Sequence, residues 1–390
     1  MTESPRLLPP NFTLLQVTPR LDAGGVEQVT TDTAAAVVRA GGRSLVASWG
    51  GRLEEALASG GASLVRLPVH AKDPLTLATN AARLTALIRR ERVSLVHVRS
   101  RAPAFSALMA ARAAGVPLIA TYHGIYGAKS GLKRWYNAIM TRGDVVIANS
   151  RFTADHIMAE HRLASAKVAV IPEGIDTDRF DPAAVAPERV AAVRAAWGLG
   201  ARDRRIVILL AARWTWWKGH RLMVEALGRM RRRSDVVLIL AGAGGERSDE
   251  VAAVEAAAAV AGISDAVRIV GPCDDMPAAW LAADLAVAPS TEPESFGRGV
   301  VEAGAMGRPV LASSLGAPAQ TVLHGQTGWL AAAGDVDAWA AALETALAAG
   351  PEARAAIGQA ARARVVALYS LSAMCEATFA LYRRVLERRP

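Results

Sequence analysis

Three short stretches of this 390-residue chain combine residue types that could hold a phosphorylated, hydroxyl-rich ligand. In AARWTWWKGHRL, Arg213 and Lys218 directly follow an apolar run from Arg205 to Ala212 that reads as a strand, and Gly219 follows them. Arg offers a planar fork and Lys a point charge, so the two suit a diphosphate at the carboxyl end of a strand, beside a helix start. A solvated basic loop, with Trp214, Trp216 and Trp217 packed beneath it, fits the same residues. In STEPESFGRGVVEAGAMGRPVLAS, Glu294 falls in a strand-to-helix loop and Glu302 in the helix after it. Carboxylates accept pairs of sugar hydroxyls, and Phe296, Gly297 and Arg298 between them can present successive backbone N–H groups to an anion. In TPRLDAGGVEQV, Gly24 and Gly25 would let backbone approach a ligand closely, although a plain left-handed turn also accounts for them. The G-x-G-x-x-G dinucleotide pattern is absent.

Each stretch needs a strand before it and a helix after it, and the chain supplies both throughout. Strands are expected at Phe12 to Val17, Ser44 to Ser48, Ser63 to Leu67, Ser94 to Val98, Pro117 to Tyr122, Asp144 to Asn149 and Lys167 to Ile171. After the Pro, Gly and Asp-rich PEGIDTDRFDPAAVAPERV, read as a loop and linker, the pattern resumes at Arg205 to Ala212, Asp235 to Gly242, Val267 to Gly271, Asp284 to Pro289 and Arg308 to Ser313. Short β-branched runs alternating with helical spacing predict parallel sheets covered by helices, and the length predicts two such domains. The domain boundary is expected between about 174 and 203, giving a nominal division of 1–190, 191–370 and a terminal helix over 371–390 that packs back. Two doubly wound α/β domains would face a cleft, with ligands at the carboxyl ends of the strands.

Residues 1–200 hold 24 basic and 16 acidic side chains (24 − 16 = +8), and residues 201–390 hold 21 and 20 (21 − 20 = +1). The excess points to an anionic partner for the first half or to a solvated Arg-rich surface. Cys273 and Cys375 form neither a disulfide framework nor a metal-ligand spacing, which favours a reducing, cytoplasmic setting. No run of 18 apolar residues and no leader pattern is present, so no membrane span is expected.

Taken in order, GGVEQV, HGIY (His123 to Tyr126), ANSRFTADHI (Ala148 to Ile157), IPEGIDTDRF (Ile171 to Phe180), WWKGH and EPESFGRGVVEAGAMGRPV make the chain resemble the family 4 glycosyltransferases. These are retaining enzymes of the GT-B fold, with two Rossmann-like domains and a nucleotide-sugar donor. The resemblance implies that Gly25, with Gly24, closes on the donor phosphates, and that Arg213 and Lys218 neutralise the leaving diphosphate. It further implies that Glu294 contacts the transferred sugar, aided by the N–H groups of Phe296, Gly297 and Arg298. Glu302 would bind the ribose, and His123 would lie near the donor sugar unless it is a strand-end histidine satisfied in the core. A hexose would pass from a UDP- or GDP-sugar to a glycolipid, lipopolysaccharide-core or other envelope glycan. No cofactor and no metal are expected.

Two departures stand out. The linker motif of the family often reads N-G-[IV]-D, but Glu173 replaces the Asn here. Asp335 and Asp337 spell D-x-D, the letters of a metal–nucleotide site in other transferases, yet Asp335 precedes a helical pattern and reads as an N-cap. Leu132, Trp135, Tyr136, Ile139 and Met140 share helical spacing beside Lys129, Lys133 and Arg134. They fit either a core-packed helix with a basic rim or, with Arg99 and Arg101, a face toward a lipid-linked or anionic acceptor at the inner membrane surface. The competing readings are a sugar-nucleotide epimerase or soluble disaccharide synthase of the same fold and, from charge alone, a nucleic-acid-binding protein. The last lacks any recognisable module, so no nucleic acid partner is expected.

Overall fold

The computed structural model describes residues 7–22, 24–127, 130–200, 202–231, 233–244 and 249–388. The chain forms two compact units, Met1–Gly174 with Leu371–Pro390, and Ile175–Ser370. In the first, seven strands are all paired in parallel: β1 Thr13–Val17, β2 Arg43–Ser48, β3 Ser63–Arg66, β4 Leu95–Val98, β5 Leu118–Tyr122, β6 Val145–Ala148 and β7 Val168–Val170. Their order is β3-β2-β1-β4-β5-β6-β7, so the winding direction reverses between β1 and β4.

Alternation sorts the side chains between two cores. Leu15, Val17, Val96 and Val98 pack with Leu84, Leu87 and Ile88 of helix Pro74–Arg90, which starts where Asp73 Oδ1 accepts the Thr76 N–H at 2.8 Å and Pro74 takes the first helical position. Phe12, Leu14, Leu95 and Ile119 face the other way, against Phe379, Leu381 and Tyr382 of the C-terminal helix Leu371–Glu387. That helix is therefore a layer of the first unit. Its Tyr382 hydroxyl lies 2.7 Å from His97 Nδ1, and His97 Nε2 lies 2.6 Å from Thr121 Oγ1.

In the second unit, β8 Ile206–Ala211, β9 Val236–Ala241, β10 Val267–Val270, β11 Leu285–Ala288, β12 Val310–Ser313 and β13 Gly328–Ala331 form a parallel sheet, ordered β10-β9-β8-β11-β12-β13. Val207, Leu209, Val237 and Ile239 face one core, and Ile208, Leu210, Leu238 and Leu240 the other. The reversal falls between β8 and β11, where a doubly wound sheet holds its ligands.

The division lies at Gly174/Ile175, at the first edge of the expected 174–203 range and ahead of the nominal 190/191. Phe180, Val185, Trp197 and Leu199 are buried in the second unit's core, and Arg189 makes a two-pronged pair with Asp275 at 2.7 and 2.8 Å. The Pro and Asp-rich stretch is thus folded onto the second unit. No helix among the described residues is long and apolar enough to cross a membrane.

Candidate functional site

In the second unit, the loops after β8 and β11 meet. Lys218 Nζ lies 2.8 Å from Glu294 Oε1, with the two side chains only 16% and 14% exposed. Ser290 Oγ also donates to Glu294 Oε1 in a short hydrogen bond. Backbone holds the two loops together: the Thr291 N–H donates to the Trp217 carbonyl at 2.8 Å, and Gly219 adopts a left-handed φ of 76°. A Cβ on Gly219 would stand 2.1 Å from the Pro289 carbonyl oxygen. The β9 loop closes in similarly, since a Cβ on Gly242 would meet the Ala212 carbonyl oxygen at 1.8 Å.

Arg213 is exposed at the end of β8 and forms no ion pair with a described residue. Lys218, by contrast, has its charge balanced by Glu294, so Arg213 presents the uncompensated cation at this edge. The tryptophans divide. Trp214 is buried and stacks on His220 at 4.3 Å and 14°, Trp217 lies 4.4 Å beneath Lys218 Nζ, and Trp216 is 66% exposed, contrary to the packing expected of all three.

Gly297, with φ 80°, precedes helix Arg298–Ala305, whose first N–H groups lack intrahelical partners. A Cβ on Gly297 would lie 2.8 Å from Pro318 Cγ. Phe296 is a core residue, 6.1 Å from the Tyr369 ring, so only its backbone is available to a ligand. Glu302 accepts from Arg298 Nε at 2.8 Å and from Trp280 Nε1 at 3.5 Å. A cavity of about 40 Å³ between Lys218, Ser290, Glu294, Gly297, Gly299 and Trp280 is large enough for one water. Lys218, Glu294 and Gly297 thus come together, while Glu302 is held one helical turn further on.

His220 has a consequence for stability. Burial, chiefly, pushes its pKa down to about 4, and the Lys218 charge acts the same way. An unfolded histidine titrates near 6.5. The folded state therefore excludes a proton that the unfolded chain binds. The resulting contribution, up to about 3 kcal/mol, is complete above pH ~6.5 and is lost as pH falls toward 4. His220→Phe should flatten the dependence of thermal midpoint on pH across that window; an unchanged slope would refute the assignment.

In the first unit, His123 follows β5, and its Nδ1 lies 2.9 Å from Glu173 Oε1. Asn149, after β6, donates to the same oxygen at 3.0 Å. Gly24 sits at φ 157°, ψ 170°, a region populated essentially by glycine and not the left-handed turn. Gly25 begins helix Gly25–Arg39, and a Cβ there would lie 3.6 Å from Glu173 Oε2. The structure therefore gathers Gly25, His123, Asn149 and Glu173. Sequence reasoning singled out the first two; Asn149 lay unweighed in ANSRFTADHI, and Glu173 registered only as a departure.

Arg99 does not belong to a basic rim. It is buried, donating to Gln16 Oε1 at 2.8 Å and Thr33 Oγ1 at 3.0 Å. Arg101 donates to Asn137 Oδ1 at 2.7 Å and stacks 3.9 Å over Tyr126. Lys129 lies outside the described residues. Helix Gly131–Asn137 passes into a tighter turn over Ala138–Thr141; Met140 is buried in the first unit's core with Ile139 packed against it, whereas Leu132 and Trp135 are 77% and 61% exposed, so the stretch packs on the core at its later end alone. Asp335 is an N-cap, accepting from the N–H groups of Asp337 and Ala338 at 3.0 Å each, and Asp337 pairs with Arg229.

Two doubly wound parallel sheets, one in each unit, are the two Rossmann-like domains of the GT-B fold. Residues 23–179 match the model of Glycosyltransferase Family 4, and residues 205–349 that of Glycosyl transferases group 1. The chain is 31% identical over 326 residues, 79% of its length and 81% of the relative's, to a GDP-mannose-dependent alpha-(1-6)-phosphatidylinositol monomannoside mannosyltransferase of Mycolicibacterium smegmatis. A glycosyltransferase structure from Rickettsia africae superimposes with a TM-score of 0.90 at 29% identity, covering 97% of this chain and all of that one. An Anabaena protein crystallised with UDP and glucose shares the fold, with a TM-score of 0.81 at 22% identity over 97% of this chain and 100% of its own. The protein belongs to the family 4 glycosyltransferases and is a glycosyltransferase.

Proposed function

We propose that the protein transfers a hexose-type sugar, with retention and without a metal, from a UDP- or GDP-sugar to a lipid-linked or anionic envelope glycan. The observation that carries this reading is the Lys218–Glu294 pair set against Gly219, with Arg213 exposed beside it. Breaking the bond between the anomeric carbon and the phosphate oxygen builds negative charge on the departing diphosphate. Cations fixed at that point stabilise the transition state more than the ground state. Arg213 and Lys218 take this role, and the N–H groups around Gly297 add to it. Glu294 holds the hydroxyls of the transferred sugar, Glu302 those of the ribose, and Gly24 and Gly25 admit the phosphates. His123 hydrogen-bonds a sugar hydroxyl. The acceptor oxygen bonds to the anomeric carbon on the face the phosphate leaves, and its proton passes to a phosphate oxygen, so the chain needs no nucleophile of its own.

A lipid-linked acceptor is supported by the phosphatidylinositol-based substrate in the mycobacterial relative's name and by the first half's charge of +8 (24 − 16). The exposed Leu132 and Trp135 beside Lys133 and Arg134 suit an anionic membrane surface on the cytoplasmic side. One experiment tests the core of the reading: a screen of UDP- and GDP-sugars for thermal stabilisation and turnover, with chelator, with anionic vesicles, and with the product anomer read by NMR. A matching donor should turn over undiminished in chelator, with retained configuration and vesicle binding. Inversion, or activity abolished by chelator and restored by metal, would overturn the mechanism; absence of vesicle binding would remove the membrane surface.

A further inference from the structure

Outside the residues given roles above, the first unit carries a tryptophan at the carboxyl end of β2, on the edge of a doubly wound sheet where ligands sit. Trp49 directly follows that strand and is 50% exposed. Single exposed apolar side chains are ordinary on protein surfaces; what sets this one apart is how firmly its backbone is held. The Trp49 N–H donates to the Pro19 carbonyl at 3.2 Å, and its own carbonyl accepts from Arg66 Nη1 at 3.2 Å, with Arg66 in turn paired to Glu54. The Leu21 N–H donates to the Gly50 carbonyl at 3.0 Å and the Leu53 N–H to that of Leu21 at 2.8 Å, which laces the loop after β1 to the loop after β2. The lacing needs glycine: Gly50 and Gly51 have φ of 98° and 152°, and a Cβ on Gly51 would stand 2.5 Å from the Leu21 carbonyl carbon. From the loop after β3, the His70 ring meets the indole at 5.2 Å and 64°.

An indole combines an apolar body with one N–H donor, and a side chain with only two torsions loses little entropy when a ligand covers it. A pyranose ring is its chemical complement, with a face of C–H groups bordered by hydroxyls. We propose that Trp49 is the stacking platform for a pyranose ring of the acceptor glycan. This rests on the function proposed above, and it uses the first unit alone: the loop laced to Trp49 runs on from β1 into Gly24 and Gly25. Arg52 and Lys72, exposed in the loops that carry Trp49 and His70, supply donors for hydroxyls or for an anionic group on the glycan. A surface that enters a bilayer gathers several apolar side chains. Trp49 is instead followed by Gly50, Gly51 and Arg52 and bordered by the Arg66–Glu54 pair, surroundings that favour a sugar over lipid tails.

The test titrates methyl glycosides of glucose, galactose and mannose into the full chain labelled with 5-fluorotryptophan, the Trp49 fluorine line being identified by its loss in Trp49→Phe. At least one pyranoside should shift that line saturably. In saturation-transfer NMR on the same sugar, Trp49→Ala should weaken binding about 10-fold, the cost of losing one aromatic stacking contact, and Trp49→Phe less. Thermal midpoint and stabilisation by nucleoside diphosphate should be unchanged in both variants, because the indole is half open and the backbone bonds that hold the loop remain. A Trp49 line that no pyranoside moves would overturn the platform. So would shifts confined to the Trp214 and Trp217 lines, which place the sugar in the second unit, or a Trp49 line moved by phosphatidylglycerol vesicles and by no sugar, which makes it a membrane contact. A lowered thermal midpoint in Trp49→Ala with unchanged sugar affinity would leave it a packing residue. The readouts need no turnover, so the two readings fail separately. Donor turnover with an unmoved Trp49 line overturns this inference alone, whereas a sugar-dependent shift without donor turnover overturns the reaction and leaves a carbohydrate site.

Discussion

Lys218→Ala is expected to lower kcat by about 10²- to 10³-fold, the usual cost of removing one fixed group that stabilises developing negative charge. Much of the donor affinity should survive, because Arg213 and the N–H groups around Gly297 remain. The variant has a second effect. Lys218 and Glu294 are both largely buried and 2.8 Å apart, so truncation leaves the carboxylate with Ser290 as its one side-chain partner among the described residues, at a cost of about 1–3 kcal/mol. Steady-state kinetics alongside thermal unfolding separate the two effects. Lys218→Arg keeps the charge and should recover part of kcat, whereas Lys218→Met should restore packing without recovering turnover. Wild-type kcat in the Ala variant would remove Lys218 from the leaving-group site.

Twelve strands could be read from sequence because each is a short apolar run whose alternate residues enter opposite cores, as Leu14 and Leu15 do in β1. The strand that was not anticipated, β13, is GWLA: four residues, opened by a glycine at φ 153° and without a β-branched side chain. Its place is set by pairing with β12, which no local pattern announces. The place of the domain boundary within the 174–203 stretch was hidden for a related reason. Pro, Gly and Asp mark a segment without long periodicity, but they do not reveal where its few apolar residues are buried, and Phe180 and Val185 insert into the second unit.

At the candidate site, residue types and order were legible, and pairings were not. Arg213, Lys218, Glu294 and Glu302 stand out as charges in strand-end loops. Only the fold shows that Lys218 meets Glu294 while Glu302 is engaged by Arg298. The misreading of Arg99 has the same origin: a cation after a strand looks like a surface residue until Gln16 and Thr33, distant in sequence, are found bonded to it.

Gly219→Ala, a change of one methyl group, should disable the enzyme through geometry alone. At φ 76° a non-glycine residue pays about 1–2 kcal/mol, and the new Cβ would lie 2.1 Å from the Pro289 carbonyl oxygen and 2.9 Å from its carbon. Backbone cannot yield as a long side chain can, so the loops after β8 and β11 must part. Lys218 precedes Gly219 and Ser290 follows Pro289, so the parting pulls the cation away from the groups that hold Glu294. A displacement near 1 Å suffices for a loss of about 10²-fold in kcat, and the overpacking adds about 1–3 kcal/mol of destabilisation. Gly198→Ala provides the control. Its φ of 72° imposes the same conformational cost, but nothing lies within 4 Å of its added Cβ. It should lose only the conformational part of the stability and keep its turnover. Comparable kinetics in the two variants would show that the close approach at Gly219 does not hold the Lys218–Glu294 geometry.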